Sequence, residues 1–505
     1  LIADVVSDVG TFMQSVGAAW LMISLNAGPI YVALIQTASA LPFFIFALPA
    51  GAIGDIADRR RLILYTEAWM LTVAIAVAAL TITGWITPLL LLILTFALSA
   101  GDAFETPTWR AVLPEVVPKQ DLPAASALNG IEFNFARAVG PGLAGFVVAA
   151  AGVGTAFLLN AASFTGVIAV IARWKRVVPK RTSPPETVWG GAVAGLRYLR
   201  YSPALRMLLL RTGLVIFFAT ALTALLPLIA RDIKNSPITF GILLGCFGFG
   251  AVVGAVVMQR ARARWSAETV VSMGVAIYGL ATIAASSVRV LAALCAATFV
   301  GGAAWIMFIS VVNVFILNNA PDWVRARVLS VSTLVVQGAV AAGSAAWGAV
   351  AAHFGLRAAL VCAGAGTIAT TTLALFLRLP SATVDVTAWN HWPMPDLDGD
   401  ALPGGYDSGP VLVTVEYEVA PENAKEFIQA IRRYGRVRRR DGASRWGIFH
   451  DLETPGRYVE TFIVSSWAEH LRQHERMTLA DRELEERLQS YVRGNPSVRH
   501  LVSAT

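Results

Sequence analysis

The sequence predicts an α-helical membrane protein with twelve transmembrane helices in two six-helix bundles, followed by a C-terminal α+β domain. Three observations carry that prediction. Hydrophobic residues make up 56% of the chain and charged ones 14%, with a mean hydropathy of +0.62, whereas an ordinary soluble domain is about 25% charged. Uncharged or nearly uncharged runs recur through the first 380 residues, and beyond them the composition turns to that of a soluble module.

The first six runs are 1–25, 29–53, 62–84, 88–100, 124–151 and 155–172; six more follow at 207–230, 238–258, 270–287, 290–317, 328–352 and 358–377. Most reach the roughly 20 residues that cross a hydrocarbon core as a helix. Run 88–100 does so when it continues through Asp102 and Glu105 to Trp109. Helices are the required form, because backbone groups in lipid must satisfy one another. The first run has no basic n-region, carries Asp4 and Asp8 and begins at Leu, so it reads as a span entered part-way and not as a signal peptide.

Residues 1–172 form the first bundle, 173–206 a basic central linker containing "PKRTSPPE", and 207–380 the second bundle. Two such halves joined by a linker are a common transporter plan, with the site at the membrane midplane. Arginines and lysines concentrate in the loops after spans two, six and eight, so these loops and both termini are expected on the cytoplasmic side. The net charge of +7 belongs to this part, since residues 381–505 are slightly acidic, and nucleic-acid binding is not implied. Cys246, Cys295 and Cys362 all lie in apolar spans, where a small hydrophobe is the expected role.

The stretch "GAIGDIADRRR" ends span two, and "AVGPGLAG" lies in span five. Gly51 is placed to let helices approach, Asp55 to pair across the loop or cap a helix, and Arg59, Arg60 and Arg61 to hold the turn at the headgroups. With these motifs the chain resembles the major facilitator superfamily, whose loop between helices two and three follows Gly-x-x-x-Asp-Arg-x-Gly-Arg-Arg/Lys. Gly51, Asp55, Arg60 and Arg61 match a gating loop; Ile56 and Asp58 depart from it. Gly140, Pro141, Ala144 and Gly145 are similar to the family's antiporter motif. Together with "SDVGTFMQSVGAAWL", "LPEVVP" and "FLLNAASF", they resemble the branch containing the enterobactin exporter and the transmembrane secretion effectors, over residues 1–379. The resemblance implies efflux of siderophores or drug-like molecules by a multi-pass protein of the inner, cytoplasmic membrane. It implies no cofactor, the proton gradient being the energy source.

Charged groups inside spans cost about 2.5–3.5 kcal/mol each on insertion scales, so they face a cavity or a partner. Asp8, Asp102, Glu105, Glu132 and Arg137 all fall in the inner half of the first bundle. Arg137 is expected to pair with one or more of Asp8, Asp102 and Glu105, leaving surplus carboxylates to carry protons. Glu67, on a helix usually peripheral in this fold, is expected at an interface. Phe12, Gln14, Phe104, Phe217, Trp305 and Asn313 are the substrate-cavity candidates, an aromatic and mostly uncharged lining that suits an amphipathic small molecule.

Residues 381–409 read as an acidic, Pro-rich linker, and 410–505 as a β-α-β-β-α-β module. "RYVETFIVSSWAEHLRQHERMT" resembles dimeric αβ-barrel modules related to antibiotic-biosynthesis monooxygenases, which implies homodimerisation through a ferredoxin-like sheet. His470 and His474, four apart, have a spacing that can bind metal; with no third ligand evident they are expected on a solvated helix face, with no metal site and no catalytic constellation. "RRYGRVRRR" reads as a headgroup-binding or solvated face. A membrane-tethered redox or ligand-binding module is the rival reading of the whole chain.

Overall fold

The computed structural model describes residues 2–174, 188–372, 385–389 and 408–503, in two compact units. The larger holds six helices, α1 (Ile2–Ser24), α2 (Pro29–Ile56), α3 (Arg59–Ile82), α4 (Pro88–Val116), α5 (Leu122–Ala151) and α6 (Val153–Arg173), and, after a shorter helix α7 (Val188–Tyr201), most of six more. These are α8 (Pro203–Ile233), α9 (Pro237–Arg264), α10 (Ala267–Ser287), α11 (Leu291–Asn319), α12 (Asp322–Phe354) and α13 (Leu356–Ala369). Among the described residues ten helices are long and apolar enough to cross a membrane. Of the twelve expected spans, α1 and α13 fall outside that set: α1 carries Asp4 and Asp8, and α13 has 14 residues. The linker expected over 173–206 contains α7 and the start of α8.

Local chemistry fixes the helix ends. Proline opens α2, α4, α5 and α9, where its missing N–H costs nothing. Asp58, Thr87 and Ser266 cap α3, α4 and α10 through their side-chain oxygens. Single glycines at positive φ, Gly152 (84°) and Gly355 (86°), join α5 to α6 and α12 to α13. The same one-residue turn at the same place in each half is a trace of an internal repeat.

Lipid supplies no hydrophobic drive between helices, so close backbone approach must hold them together. A Cβ on Gly145 would lie 2.7 Å from the Pro237 carbonyl oxygen, and one on Gly248 the same distance from that of Arg137, so α5 and α9 touch along their backbones. α2 and α12 form a second seam between the halves: Thr37 donates to the Ala341 carbonyl at 2.9 Å, and Gly348 abuts Ala33 and Ile30.

The smaller unit contains residues 189–207, 313–331 and the tail. The tail runs β1 (Val411–Glu418), α14 (Ala424–Asp441), β2 (Arg445–His450), β3 (Arg457–Val464), α15 (Trp467–Glu475), α16 (Leu479–Gln489) and β4 (Ser497–Val502), with its antiparallel sheet in the order β2-β3-β1-β4. Strict alternation buries Val411, Val413, Val415 and Tyr417 against Phe427, Ile431 and Tyr434 of α14. Arg438 lies between the rings of Tyr434 and Phe462, 4.8 Å from each. Arg440 pairs with Asp441 and Asp481. The basic run is therefore divided, with Arg432, Arg433 and Arg436 exposed and Arg438 buried.

Within this unit the tail grips α7 and the α11–α12 corner. Arg197 and Arg476 both bind the Glu469 carboxylate, at 2.9 and 2.7 Å, and Arg476 stacks 4.5 Å over Trp323. Burial alone would raise the Glu469 pKa, but the two guanidinium groups hold it down at about 2.

His470 is buried at 1% exposure, which corrects the solvated face expected for it. Trp467, His470 and His474, at i, i+3 and i+7, form the inward stripe of α15, and His500 joins them from β4. Among the described residues no group of three or more His, Cys, Asp or Glu could hold a metal ion. Burial lowers all three histidines, His470 to about 3 and His474 to about 4. Their neutral forms therefore favour the folded tail at pH above about 6.5, and that stability is lost as pH falls below it. Pulse proteolysis of the full chain between pH 7.5 and 5 is expected to show the tail's urea midpoint falling with pH, with a shallower slope in His470→Leu.

Candidate functional site

The first bundle gathers carboxyl groups from four helices. Asp8 of α1 lies within electrostatic reach of Asp4 and of Asp102 on α4, and Glu132 of α5 within reach of both α1 carboxyls. Glu132 is 6% exposed, and neither of its oxygens has a partner among the described residues. Asp102 accepts from Thr106 at 3.1 Å, and Glu105 from Thr66 of α3 at 3.0 Å.

Glu67 belongs to this cluster, which corrects its expected place at an interface. It is 2% exposed and hydrogen-bonds the Glu105 carboxyl. Two ionised carboxylates in such contact would repel by about 4 kcal/mol at 4 Å and an effective dielectric constant of about 20. The signal was present in the sequence as an acid inside the apolar 62–84 run, beside Thr66. No arginine or lysine among the described residues pairs with Asp8, Glu67, Asp102, Glu105 or Glu132.

Arg137 does not form the expected ion pair with Asp8, Asp102 or Glu105. It and Glu132 are five residues apart, about 140° around the helix at 3.6 residues per turn. Glu132 thus turns toward α1, whereas the Arg137 guanidinium points to α9 and stands 5.7 Å from the centre of the Phe247 ring. A cation–π contact contributes about 0.5–2 kcal/mol, less than the several kcal/mol of desolvating an ion. The ring alone does not offset the burial.

At the turn between α2 and α3, Arg59 and Arg60 bind protein partners. Arg59 bonds Glu115 at 2.7 Å and the Ala111 carbonyl at 2.8 Å, tying α3 to the end of α4. Arg60 donates to the carbonyls of Ile171 and Ala172, closing the end of α6, and Asp58 caps Arg61. No described atom lies within 4 Å of a Cβ built on Gly51, so the close helix approach expected there is not formed. The Asp55 side chain lies outside the described residues.

In the antiporter-motif stretch, Gly140 admits Phe12, Pro141 and Ala144 are buried, and Gly145 meets Gly241. The cavity candidates part company. Phe12 packs on Phe133, Phe104 on Phe46, Phe217 on Trp347 and Trp305 on Tyr278. Gln14 is 5% exposed and faces Asn160 of α6, which removes it from a cavity lining; Asn313 is exposed and belongs to the smaller unit. In the second bundle Arg211, 2% exposed, is held by Glu268 at 2.7 Å.

Comparison with known proteins places these features in context. A family profile described as transmembrane secretion effector matches residues 1–505. The chain is 26% identical over 394 residues to the multidrug efflux pump Tap of Mycolicibacterium fortuitum, covering 75% of this chain and 94% of that one. It is 22% identical over 380 residues to the Staphyloferrin A transporter of Staphylococcus aureus, covering 73% and 93%. A crystal structure of the nucleoside transporter NupG superposes with a TM-score of 0.60 at 11% identity, over 75% of this chain and 99% of that one, a likeness of fold alone.

Proposed function

Because the chain belongs to the transmembrane secretion effector family of major facilitator transporters, we propose that it is a proton-coupled antiporter exporting amphipathic small molecules, siderophores or drugs, by alternating access. The family and the relatives are transporters and not enzymes, which removes the footing of the tethered redox module. The observation that carries the reading is the carboxyl cluster, Asp8, Glu67, Asp102, Glu105 and Glu132, assembled in the first bundle without a basic partner among the described residues. Protons enter it from one side of the membrane and leave to the other as the bundles rock about the α5–α9 and α2–α12 seams, while substrate moves outward. Relatives named as a multidrug efflux pump and a siderophore transporter support the class of cargo.

The basic loops support a cytoplasmic-membrane protein of twelve crossings with both termini inside. The sheet order β2-β3-β1-β4 supports a ferredoxin-like tail. Its open face carries Leu412 and Ile463 at the centre and exposed Phe449 and Leu501 at the edges, which supports dimerisation through that face.

Everted vesicles with an acidified lumen test the coupling. Ethidium uptake is expected to follow the pH gradient and to stop when nigericin collapses it. Uptake indifferent to nigericin refutes antiport.

A further inference from the structure

Arg137 leaves α5 on the side of the second bundle. The residue as a whole is half-buried; its guanidinium lies over Phe247 of α9 and has no carboxylate partner among the described residues. From Phe247 a row of rings leads away through α10 and α11: Phe247 to Tyr278 at 6.4 Å, Tyr278 to Trp305 at 5.9 Å and Trp305 to Phe308 at 6.5 Å. The Tyr278 hydroxyl is engaged, donating to the Ala219 carbonyl at 2.9 Å. A cation therefore stands at the head of an aromatic row, with one bundle supplying the charge and the other the rings.

We propose that Arg137 is the anion-binding group of the transport site, taking the carboxylate of an aromatic, amphipathic substrate whose ring system lies along Phe247, Tyr278 and Trp305. A charged side chain inside a membrane helix needs a partner. The carboxyl groups of the first bundle do not supply it, because Glu132 faces the other side of α5 and Glu67 and Glu105 engage each other. The guanidinium fork matches a carboxylate with two parallel N–H donors, and offset rings give an aromatic substrate its apolar contact. An occupant so held touches α5 and α9–α11 together, so its binding bears on the seam about which the bundles rock. The inference rests on the transporter reading but not on proton coupling.

The test uses the full chain in lipid nanodiscs with two probes of one shape, 1-naphthoate and its uncharged amide 1-naphthamide, titrated by calorimetry. Wild type is expected to prefer naphthoate. Arg137→Gln is expected to lose about tenfold or more in naphthoate affinity, as removal of one partner of a desolvated charge pair does, with naphthamide affinity unchanged. Unchanged naphthamide binding also certifies that this variant is folded. Arg137→Lys, which keeps the charge without the fork, is expected to fall between and serves if Arg137→Gln misfolds; Trp305→Ala is expected to weaken both probes alike. No preference in wild type, or a preference that survives Arg137→Gln or is undiminished in Arg137→Lys, overturns the proposal. Ethidium export by wild type without any naphthoate preference refutes the anion site and spares the exporter. A naphthoate preference without export does the reverse.

Discussion

Glutamine at position 105 is expected to abolish gradient-driven uptake in everted vesicles, lowering it to the rate left after nigericin, while substrate exchange without a gradient persists. Glu105 accepts from Thr66, lies against Glu67 and is three residues from Asp102 on the same helix. Glutamine keeps the shape and the hydrogen bonds but has no proton to release. Glu67→Gln is expected to give the same result, because the two carboxyls lie against each other, whereas Glu268→Gln in the second bundle should leave gradient dependence in place. Parallel rates of driven uptake and of exchange decide the matter, and equal loss of both would assign Glu105 to structure alone.

Leucine at position 145 is expected to cost both transport and stability. The first added carbon would stand 2.7 Å from the Pro237 carbonyl oxygen and 3.2 Å from the Gly241 Cα. Both are backbone atoms, so the helices must separate. Overpacking of this kind typically costs about 1–3 kcal/mol, and a drop of several degrees in melting temperature is expected. Alanine at Gly51, with no described atom within 4 Å of its Cβ, is expected to melt as wild type does.

Much of the membrane architecture was legible in the sequence, because hydropathy marks spans directly and Pro, Asp and Ser mark their ends. Direction around the helix axis was not. Glu132 and Arg137 lie in one span and face opposite ways, Gln14 turns to Asn160, and Glu67 turns into the carboxyl cluster. In helices apolar on every side, no amphipathic stripe tells which face meets a neighbour. The tail shows the reverse case: its strands were legible from alternation, and the period of Trp467, His470 and His474 was available as a sign of burial. Residues 175–187, part of the expected central linker, and 390–407, most of the expected acidic linker, lie outside the described residues.

One carboxylate, Glu469, binds an arginine from α7 and another just past the end of its own helix, and that second arginine covers Trp323 at the α11–α12 corner. Any displacement of that corner carries the 411–502 sheet along or breaks the grip. The 411–502 sheet is thus latched to that corner, and a dye on Leu452, which is 92% exposed, would report release of the latch as a change in signal.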